Sequence, residues 1–518
     1  MGLPENEKVE LEKEQYVVNE THNEEKANTG SDAAFANASW QYKTIALVTA
    51  LLLPLGSHFS GSALSAMKKP IKAHLNIDNT RYGVLSASVS IINTIFPIAG
   101  GIFIDMFGSV WGTLFVNILV IIGSLLTAIA CKYSSFPLII VGRVIFGIGS
   151  GLIVTMQESL LSKWFRTNHL SIAIGLQLSI SRLATFLGTL VANPIAERTG
   201  DWVWPMWLSF ILCGFSICMN IIYGLVVKKL QGDFTSSKSE LEKLKAKKTF
   251  HWRSILKFPA LFWLIILIEF LYAAVWSSFQ TISTDFINVH FHTTSMLAGY
   301  QASASQSVPI VATPILGVVM DVFGCRVIVL LLSSVFLILS SVLLGWTYVS
   351  AVVGMVFYSI SLAFGPIAMI TSIGMILPSD YIGTGLGLYK SSNNIGTSIL
   401  DIVVGVVQDK TAGQAYTGVM LVFLILACIG FALITLLWLC QRVWYDNILE
   451  AIRSKRLRLM KEKNDRELEL SQQGKDTYET NNQSTFFFNY VFVGVYIAAL
   501  LAAWVLFFVY SANGSVEA

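Results

Sequence analysis

The chain has 518 residues and a formal net charge of +3, with 54% hydrophobic and only 13% charged residues. Soluble globular proteins carry about 25% charged residues. This composition argues against a disordered protein, a nucleic-acid binder with a basic surface and a soluble enzyme, and it indicates a polytopic membrane protein. The six cysteines are scattered without a CxxC pair, so neither a zinc site nor a disulfide framework is expected.

Apolar segments divide the chain into two sets of six predicted membrane spans and one further span. A bilayer core about 30 Å thick requires about 20 apolar residues per helix. The first set lies at 44–64, 82–105, 110–131, 136–161, 170–194 and 203–227. The second lies at 260–283, 297–321, 326–347, 349–377, 382–408 and 415–440, and the thirteenth span at 487–510. The predicted fold is all-α, with two six-helix bundles and an extra C-terminal helix.

The segments between the spans complete the predicted organisation. A polar, acid-rich tail, which we expect to be disordered and cytoplasmic, precedes the first span. The predicted parts are the tail (1–42), an N-terminal bundle (43–228), a cytoplasmic linker (229–258), a C-terminal bundle (259–441), a charged linker helix (442–486), the extra transmembrane helix (487–511) and a luminal tail (512–518).

Lysine and arginine in the loops indicate the orientation. Loops on one side carry twenty-one of them and loops on the other side carry seven, so the first side, with the N-terminus, is predicted to be cytoplasmic. The segment 65–81 is the exception, because it carries four cations on the opposite side. Thirteen spans place Asn513-Gly514-Ser515 in the lumen, where Asn513 is a candidate glycosylation site or a chance match to the sequon.

An internal repeat relates the two predicted bundles. The segment 101–108 (GIFIDMFG) matches 317–324 (GVVMDVFG), and both follow the second span of their bundle. Further on, Gly142 and Gly354, and Gly175 and Gly387, correspond at a second constant offset. Parallel six-helix repeats are a recurrent plan of secondary transporters, which bind their substrate near the midplane between the repeats.

These motifs resemble those of a known family. The G-x-x-x-D-x-x-G segments resemble the loop motif of the major facilitator superfamily, and Gly142-Arg143-x-x-x-Gly147-x-Gly149 resembles its fourth-helix motif. Within the superfamily, residues 56–59, 142–149 and 175–182 are similar to the branch of lysosomal dipeptide uniporters. The resemblance implies transport of dipeptides or amino acids across a lysosomal or vacuolar membrane, with a plasma-membrane location as the alternative. It also implies a glycosylated luminal accessory subunit.

Two arginines within the predicted spans are candidate site residues, because a charge at membrane depth usually faces a cavity or a partner. Arg182 lies about 18 Å into span 5, near the midplane. Its guanidinium can hold a substrate carboxylate with two hydrogen bonds, or it can form an ion pair with a buried acid such as Glu269. Arg143 is a candidate for coupling or, equally, for helix packing. Gln177 and Ser181 are weaker candidates for lining the site around Arg182.

Other polar residues of the spans have two or three interpretations each. Glu269 could receive a substrate amino group, carry a proton or pair with an arginine. Lys390 and Asn394 belong to a polar stretch of span 11 that lines a cavity or holds helices together. His58 is a candidate pH sensor or a structural donor. Glu158, near the cytoplasmic end of span 4, is a gating candidate or a structural residue.

The last candidates are aromatic and turn residues. Tyr272 and Trp276 recur at a four-residue spacing on span 7, where they could contact the substrate or belong to an ordinary packing stripe. Asp105 and Asp321 of the loop motif could cap tight turns or take part in a gate.

The sequence thus predicts a carrier that moves a small solute by alternating access and needs no cofactor or metal. A dipeptide or amino acid is the favoured cargo, and a proton-coupled carrier of organic anions such as monocarboxylates is the alternative. A non-transporting receptor or scaffold is a third hypothesis. No catalytic set, metal cluster or nucleotide loop is present in the polar segments, so an enzyme and a nucleic-acid partner are not expected.

Overall fold

The computed structural model of the protein describes residues 39–96, 109–165, 170–231, 255–256, 258–377, 382–445, 447–452, 455, 458 and 486–513. These residues form sixteen α-helices and a few short 3₁₀ turns, without a strand. The prediction of an all-α chain is therefore confirmed for the part of the chain that is described.

The helices before residue 232 form the N-terminal half. They are α1 (Trp40–Leu52), α2 (Leu55–Ala66), α3 (Lys68–Leu75), α4 (Asn79–Ile92), α5 (Ser109–Lys132), α6 (Phe136–Phe165), α7 (Leu170–Thr199) and α8 (Trp204–Gln231). The Asp78 side chain caps α4, because its Oδ1 accepts a hydrogen bond from the Arg81 backbone N–H at 2.6 Å.

The helices from residue 260 to 444 form the C-terminal half, and one helix follows them. They are α9 (Ala260–His290), α10 (Ser295–Ser303), α11 (Ser307–Phe323), α12 (Arg326–Trp346), α13 (Ala351–Ile376), α14 (Ile382–Lys410) and α15 (Thr417–Trp444), and then α16 (Phe486–Asn513).

Among the described residues, eleven segments are long and apolar enough to cross a membrane. They are α1 joined with α2, α10 joined with α11, and parts or all of α5, α6, α7, α8, α9, α12, α13, α15 and α16. The other two predicted spans correspond to α4 and to α14, which carries the polar stretch 390–394. That α16 forms a thirteenth span stays a prediction.

The two halves meet mainly along four helix pairs, α4 with α14, α7 with α10, α7 with α11, and α2 with α9. Two glycines allow α4 and α14 to touch. A Cβ atom on Gly83 would lie 2.4 Å from the Asp401 carbonyl oxygen, and one on Gly405 would lie 2.4 Å from the Asn79 carbonyl oxygen. No side chain larger than hydrogen fits at either position without a backbone shift, so the crossing depends on glycine.

Helix α16 packs across both halves, against α4, α14 and α9. Its apolar residues Ala503 and Phe507 join a buried cluster with Ala87 of α4 and Ile395 of α14. The Asn489 side-chain amide donates to the Leu256 and Phe258 carbonyl oxygens, at 2.7 and 2.9 Å. The helix is thus part of the packed structure, although most of its surface is exposed.

Candidate site between the two halves

A cavity of about 330 Å³ lies between the two halves, within the size range of small-molecule sites. Its wall is rich in hydroxyl and amide side chains from both halves, and Asp401 is the acidic side chain among its lining residues. The hydroxyl groups include those of Ser57, Ser65, Ser86, Ser90, Ser277 and Thr281. A wall of neutral donors and acceptors suits a small polar solute, since it replaces the hydrogen bonds that the solute made to water.

A buried polar network joins the halves at the end of the molecule where α3 lies, which we call the α3 end. The Lys68 ammonium group lies 3.4 Å from Asp285 Oδ2 and donates hydrogen bonds at 2.8 Å to Gln408 Oε1 and to Tyr416 Oη. The Tyr416 hydroxyl in turn donates to Asp285. We call these four residues the latch. Lys68 is 1% exposed, and burial lowers its pKa to about 8.

Further hydrogen bonds between the halves extend the closure at the α3 end. The Asp409 carboxylate accepts from the backbone N–H groups of Asn79 and Thr80, at 3.1 and 2.8 Å, and from the Thr80 hydroxyl at 2.6 Å. Asp409 thus belongs to the C-terminal half and binds the first residues of α4, in the manner of a helix cap. The halves are therefore held together at this end by charged and neutral hydrogen bonds.

The opposite end of the molecule has a weaker connection between the halves. Lys390 of α14 lies 3.3 Å from Glu158 of α6, and these two side chains are 28% and 38% exposed. The Ser391 hydroxyl donates to the Thr94 carbonyl oxygen. From Lys390 to Gln408 the helical rise along α14 is about 27 Å, so the two connections lie on opposite sides of the cavity. Partly exposed ion pairs contribute little stability, about 0–1 kcal/mol.

Three predicted site residues line the cavity, namely His58, Arg143 and Asn394. Arg143 is 5% exposed, and its Nε and Nη1 atoms are buried without a hydrogen-bond partner among the described residues. Its guanidinium lies over the Phe146 ring, 4.6 Å from the centroid. His58 Nε2 is likewise buried and without such a partner. The wall formed by α2 and α6 therefore offers unused nitrogen groups to a ligand.

Arg182 lies next to this cavity without being one of its lining residues. Its Nη1 atom is 3.5 Å from Oε1 of Gln306, which lines the cavity. Arg182 forms no ion pair with a described residue, and the alternative pairing with Glu269 is absent, since Glu269 Oε1 accepts instead from Asn393 Nδ2 at 2.7 Å. Gln177, 1% exposed, does not line the cavity, and neither does Ser181.

The remaining predicted substrate contacts point elsewhere. Glu269 is 1% exposed and reaches the cavity only through Asn393. Lys390 belongs to the connection at the opposite end and does not line the cavity. Tyr272 donates to the Ala427 carbonyl oxygen at 3.1 Å, and Trp276 donates to the Ser361 hydroxyl at 3.1 Å. These two aromatic side chains belong to the buried core of the C-terminal half.

Three candidates cannot be assigned side-chain contacts. Asp105 lies outside the described residues. Asp321 belongs to α11 and Asn513 is the last residue of α16, but the side chains of both lie outside the described part of the structure. Their proposed roles in gating and glycosylation stay predictions.

Sequence reasoning missed the latch, and it noted Asp401 on span 11 without assigning it a role. One signal of the latch was available in the sequence. The segment 65–81 carries four cations, although it is predicted to lie on the side of the membrane where loops carry few of them. Lys68 and Lys72 bond to residues of α9 and of the segment around Gln414, so these cations serve contacts between the halves. Asp285, by contrast, gave no signal that separated it from an ordinary residue at a helix end.

The chain is similar to several curated transporters. The lysosomal dipeptide transporter MFSD1 of Homo sapiens is 23% identical over 415 residues, which cover 79% of this chain and 88% of that protein. MFSD1 of Danio rerio is 24% identical over 429 residues, which cover 80% of this chain and 91% of that protein.

Solved structures share the fold at low identity. A peptide transporter, POT, is 12% identical, with a TM-score of 0.59 over 80% of this chain and 98% of that one. A D-xylose-proton symporter is 13% identical, with a TM-score of 0.58 over 77% and 98%. The family model of the Major Facilitator Superfamily matches residues 50–399 and 265–516. The fold of two six-helix bundles is thereby confirmed, and the chain belongs to the major facilitator superfamily.

Proposed function

We propose that the protein is a carrier that moves dipeptides or amino acids across a lysosomal or vacuolar membrane by alternating access, and that it is not an enzyme. The main support is a polar cavity between the two halves that is closed at one end by the buried latch and at the other by a partly exposed ion pair. Such a cavity is loaded from one side and emptied from the other when the halves rock. The name of the MFSD1 relatives supports the dipeptide cargo.

In this proposal the N-terminus is cytoplasmic and the α3 end faces the lumen. The present arrangement, with the luminal end sealed by the latch, is then the one in which cargo leaves toward the cytoplasm. Breaking the Lys390–Glu158 pair exposes two side chains that are already partly in water, whereas breaking the latch exposes buried groups. The cytoplasmic end is therefore the easier one to open from this arrangement.

The N-terminal wall supplies the proposed carboxylate site. Arg143 and His58 line the cavity with nitrogen atoms that have no hydrogen-bond partner in the described part of the chain, and Arg182 lies behind Gln306 without an ion pair to any described residue. A carboxylate that entered this region would receive charge-assisted hydrogen bonds. The same observation favours the second candidate, a proton-coupled carrier of organic anions, because that cargo also presents a carboxylate.

Transport by the purified full chain in liposomes tests the proposal. Counterflow of a labelled dipeptide is compared with counterflow of a labelled monocarboxylate, with and without a pH gradient. Arg182→Ala is compared with Arg198→Ala, which removes an exposed arginine from the same helix. We expect dipeptide counterflow in the wild type and in Arg198→Ala, and loss of more than about tenfold in apparent affinity in Arg182→Ala.

Each outcome decides between the hypotheses. Counterflow of monocarboxylates but not of dipeptides would identify the organic-anion carrier. Absence of flux for every small solute, with a protein that is correctly folded, would favour the receptor or scaffold. Unchanged transport by Arg182→Ala would remove Arg182 from the site while leaving the carrier function in place.

A further inference from the structure

Asp401 of α14 lines the central cavity although it was not among the predicted site residues. It is 4% exposed, and its Oδ1 accepts a hydrogen bond from the Ser278 hydroxyl at 2.6 Å. It also lines a second cavity of about 10 Å³, the size of one water molecule, together with Lys68 and Tyr82. Asp401 therefore lies at the point where the central cavity meets the latch.

No described cation neutralises Asp401. The nearest candidate is Lys68, which shares the small cavity, but its three ammonium hydrogens are directed to Gln408, Tyr416 and Asp285. Asp401 forms no ion pair with a described residue, and the hydroxyl groups that bond to it, those of Ser278 and Ser86, are neutral. A carboxylate buried in this way is costly unless it gains a positive partner or a proton.

The surrounding wall has the composition of a site for an ammonium group. Ser86 and Thr281 line both cavities beside Asp401, and their hydroxyl groups lie 3.3 Å apart. Hydroxyl oxygens accept hydrogen bonds from an ammonium group without adding a competing charge. Arg143 and His58, which carry donor nitrogens, belong to the N-terminal half and Asp401 to the C-terminal half, so the cationic and anionic groups that line the cavity come from different halves.

We propose that Asp401, with Ser86 and Thr281 beside it, is the site that receives the primary ammonium group of the cargo. The inference rests on the proposed carrier function and refines it, since it names the cargo class as solutes with both a carboxylate and a free amine. Glu269 then acts as a positioning residue, because it reaches the cavity only by accepting a hydrogen bond from Asn393. Because Lys68 and Asp401 line the same small cavity, a cargo amine at Asp401 would also lie next to the latch.

The test compares free and blocked amines. Competition of labelled alanyl-alanine counterflow is measured with unlabelled alanyl-alanine and with N-acetyl-alanyl-alanine, for the wild-type protein and Asp401→Asn in liposomes. Asp201→Asn, which changes an exposed aspartate, serves as the matched control. Asp401→Glu, which keeps the carboxylate, is the second variant, and the monodispersity of each purified protein is checked.

We expect the wild type and Asp201→Asn to prefer the free amine by at least about tenfold, because a charge-assisted hydrogen bond is worth roughly that factor or more. Asp401→Asn should lose this preference, so that the two competitors become equal, while N-acetyl-alanyl-alanine competes as in the wild type. Asp401→Glu should recover part of the preference.

Other results would overturn the inference. A preference for the free amine that persists in Asp401→Asn would place the ammonium site elsewhere, even if transport lost its pH dependence and thereby marked Asp401 as a proton site. If the wild type carries dipeptides without preferring the free amine, the inference fails while the proposed function stands. If the wild type carries only solutes without an amine, the dipeptide proposal and the inference fail together.

Discussion

The latch leads to a quantitative prediction for Asp285→Asn. The substitution removes the negative charge beside the buried Lys68 ammonium group but keeps an oxygen that can accept from the Tyr416 hydroxyl. An unpaired charge in a protein interior costs about 3–5 kcal/mol, which would lower the ratio of closed to open α3 ends by a factor of about 10²–10⁴. The cost here has an upper limit below that value, because Lys68 can release its proton instead.

The pKa of Lys68 sets that limit. Burial lowers the pKa from 10.5 to about 8, so at pH 7 the charged amine in the closed arrangement is favoured over the neutral amine by a factor of about ten. Loss of Asp285 can therefore lower the ratio of closed to open α3 ends by about tenfold. A larger penalty does not arise, because Lys68 then becomes neutral in the closed arrangement. We expect the ratio of closed to open α3 ends to fall by about that factor at pH 7.

Distances between spin labels measure this ratio. Ala73 on α3 and Ala412 beyond α14 are exposed and belong to opposite halves, and labels are placed there after the native cysteines are replaced by serine. The double variant Lys68→Met with Asp285→Asn, which buries no unpaired charge, should be at least as closed as the wild type. A distance distribution that Asp285→Asn leaves unchanged, or a double variant as open as the single one, would refute the reasoning.

Three further predictions use the same kind of measurement or a melting curve. The pKa of Lys68 is lower when the α3 end is closed than when it is open to water, so the open α3 end binds the proton more tightly. The closed fraction should therefore stay constant below about pH 8 and rise toward pH 10. In Lys68→Met the closed fraction should not rise with pH. Gly83→Ala should lengthen the label distance, since the added methyl group would lie 2.4 Å from the Asp401 carbonyl oxygen, whereas Gly374→Ala, with nothing within 4 Å, should not. Glu450→Gln weakens the cap that Glu450 Oε1 places on two backbone N–H groups at the start of α12, and it should lower the melting temperature of the purified protein by about 1–3 °C. An unchanged melting temperature would show that the cap is not needed.

The positions of the helices could be predicted because hydrophobic length is a local property of the sequence. The predicted span 203–227, for example, begins one residue before α8 (Trp204–Gln231) and otherwise lies within it, and the predicted span 326–347 almost coincides with α12 (Arg326–Trp346). The polar composition of span 11 drew attention to Asn394, which lines the cavity, although its role as a substrate contact stays a prediction. Local composition could not show that Lys390, one helical turn earlier, reaches instead to Glu158 in the other half.

Contacts between residues that are far apart in the chain could not be predicted, because composition and spacing are local properties of the sequence. Tyr272 and Trp276 repeat at helical spacing, but spacing alone does not tell whether that stripe faces the cavity or the core of its own half, and both side chains lie in the core. Lys68 and Asp285 lie on opposite halves, and only the docking of α3 near the end of α9 makes them a pair. The role proposed for Asp401 came only from the structure, which shows that every donor of Lys68 is engaged elsewhere.

The added helix α16 bears on how the halves can move. The Trp504 indole N–H donates to the Thr94 hydroxyl at 3.3 Å, and the Tyr496 hydroxyl donates to Ser391, whose own hydroxyl donates to the Thr94 carbonyl oxygen. Thr94 belongs to the N-terminal half and Ser391 to the C-terminal half. Helix α16 therefore bonds to both halves at the end of the molecule that carries the Lys390–Glu158 pair. When the halves separate there, α16 can follow only one of them and gives up at least one of these hydrogen bonds, each worth about 1 kcal/mol net. A carrier with only twelve helices lacks these hydrogen bonds. Here they add to the weak ion pair in holding that end closed.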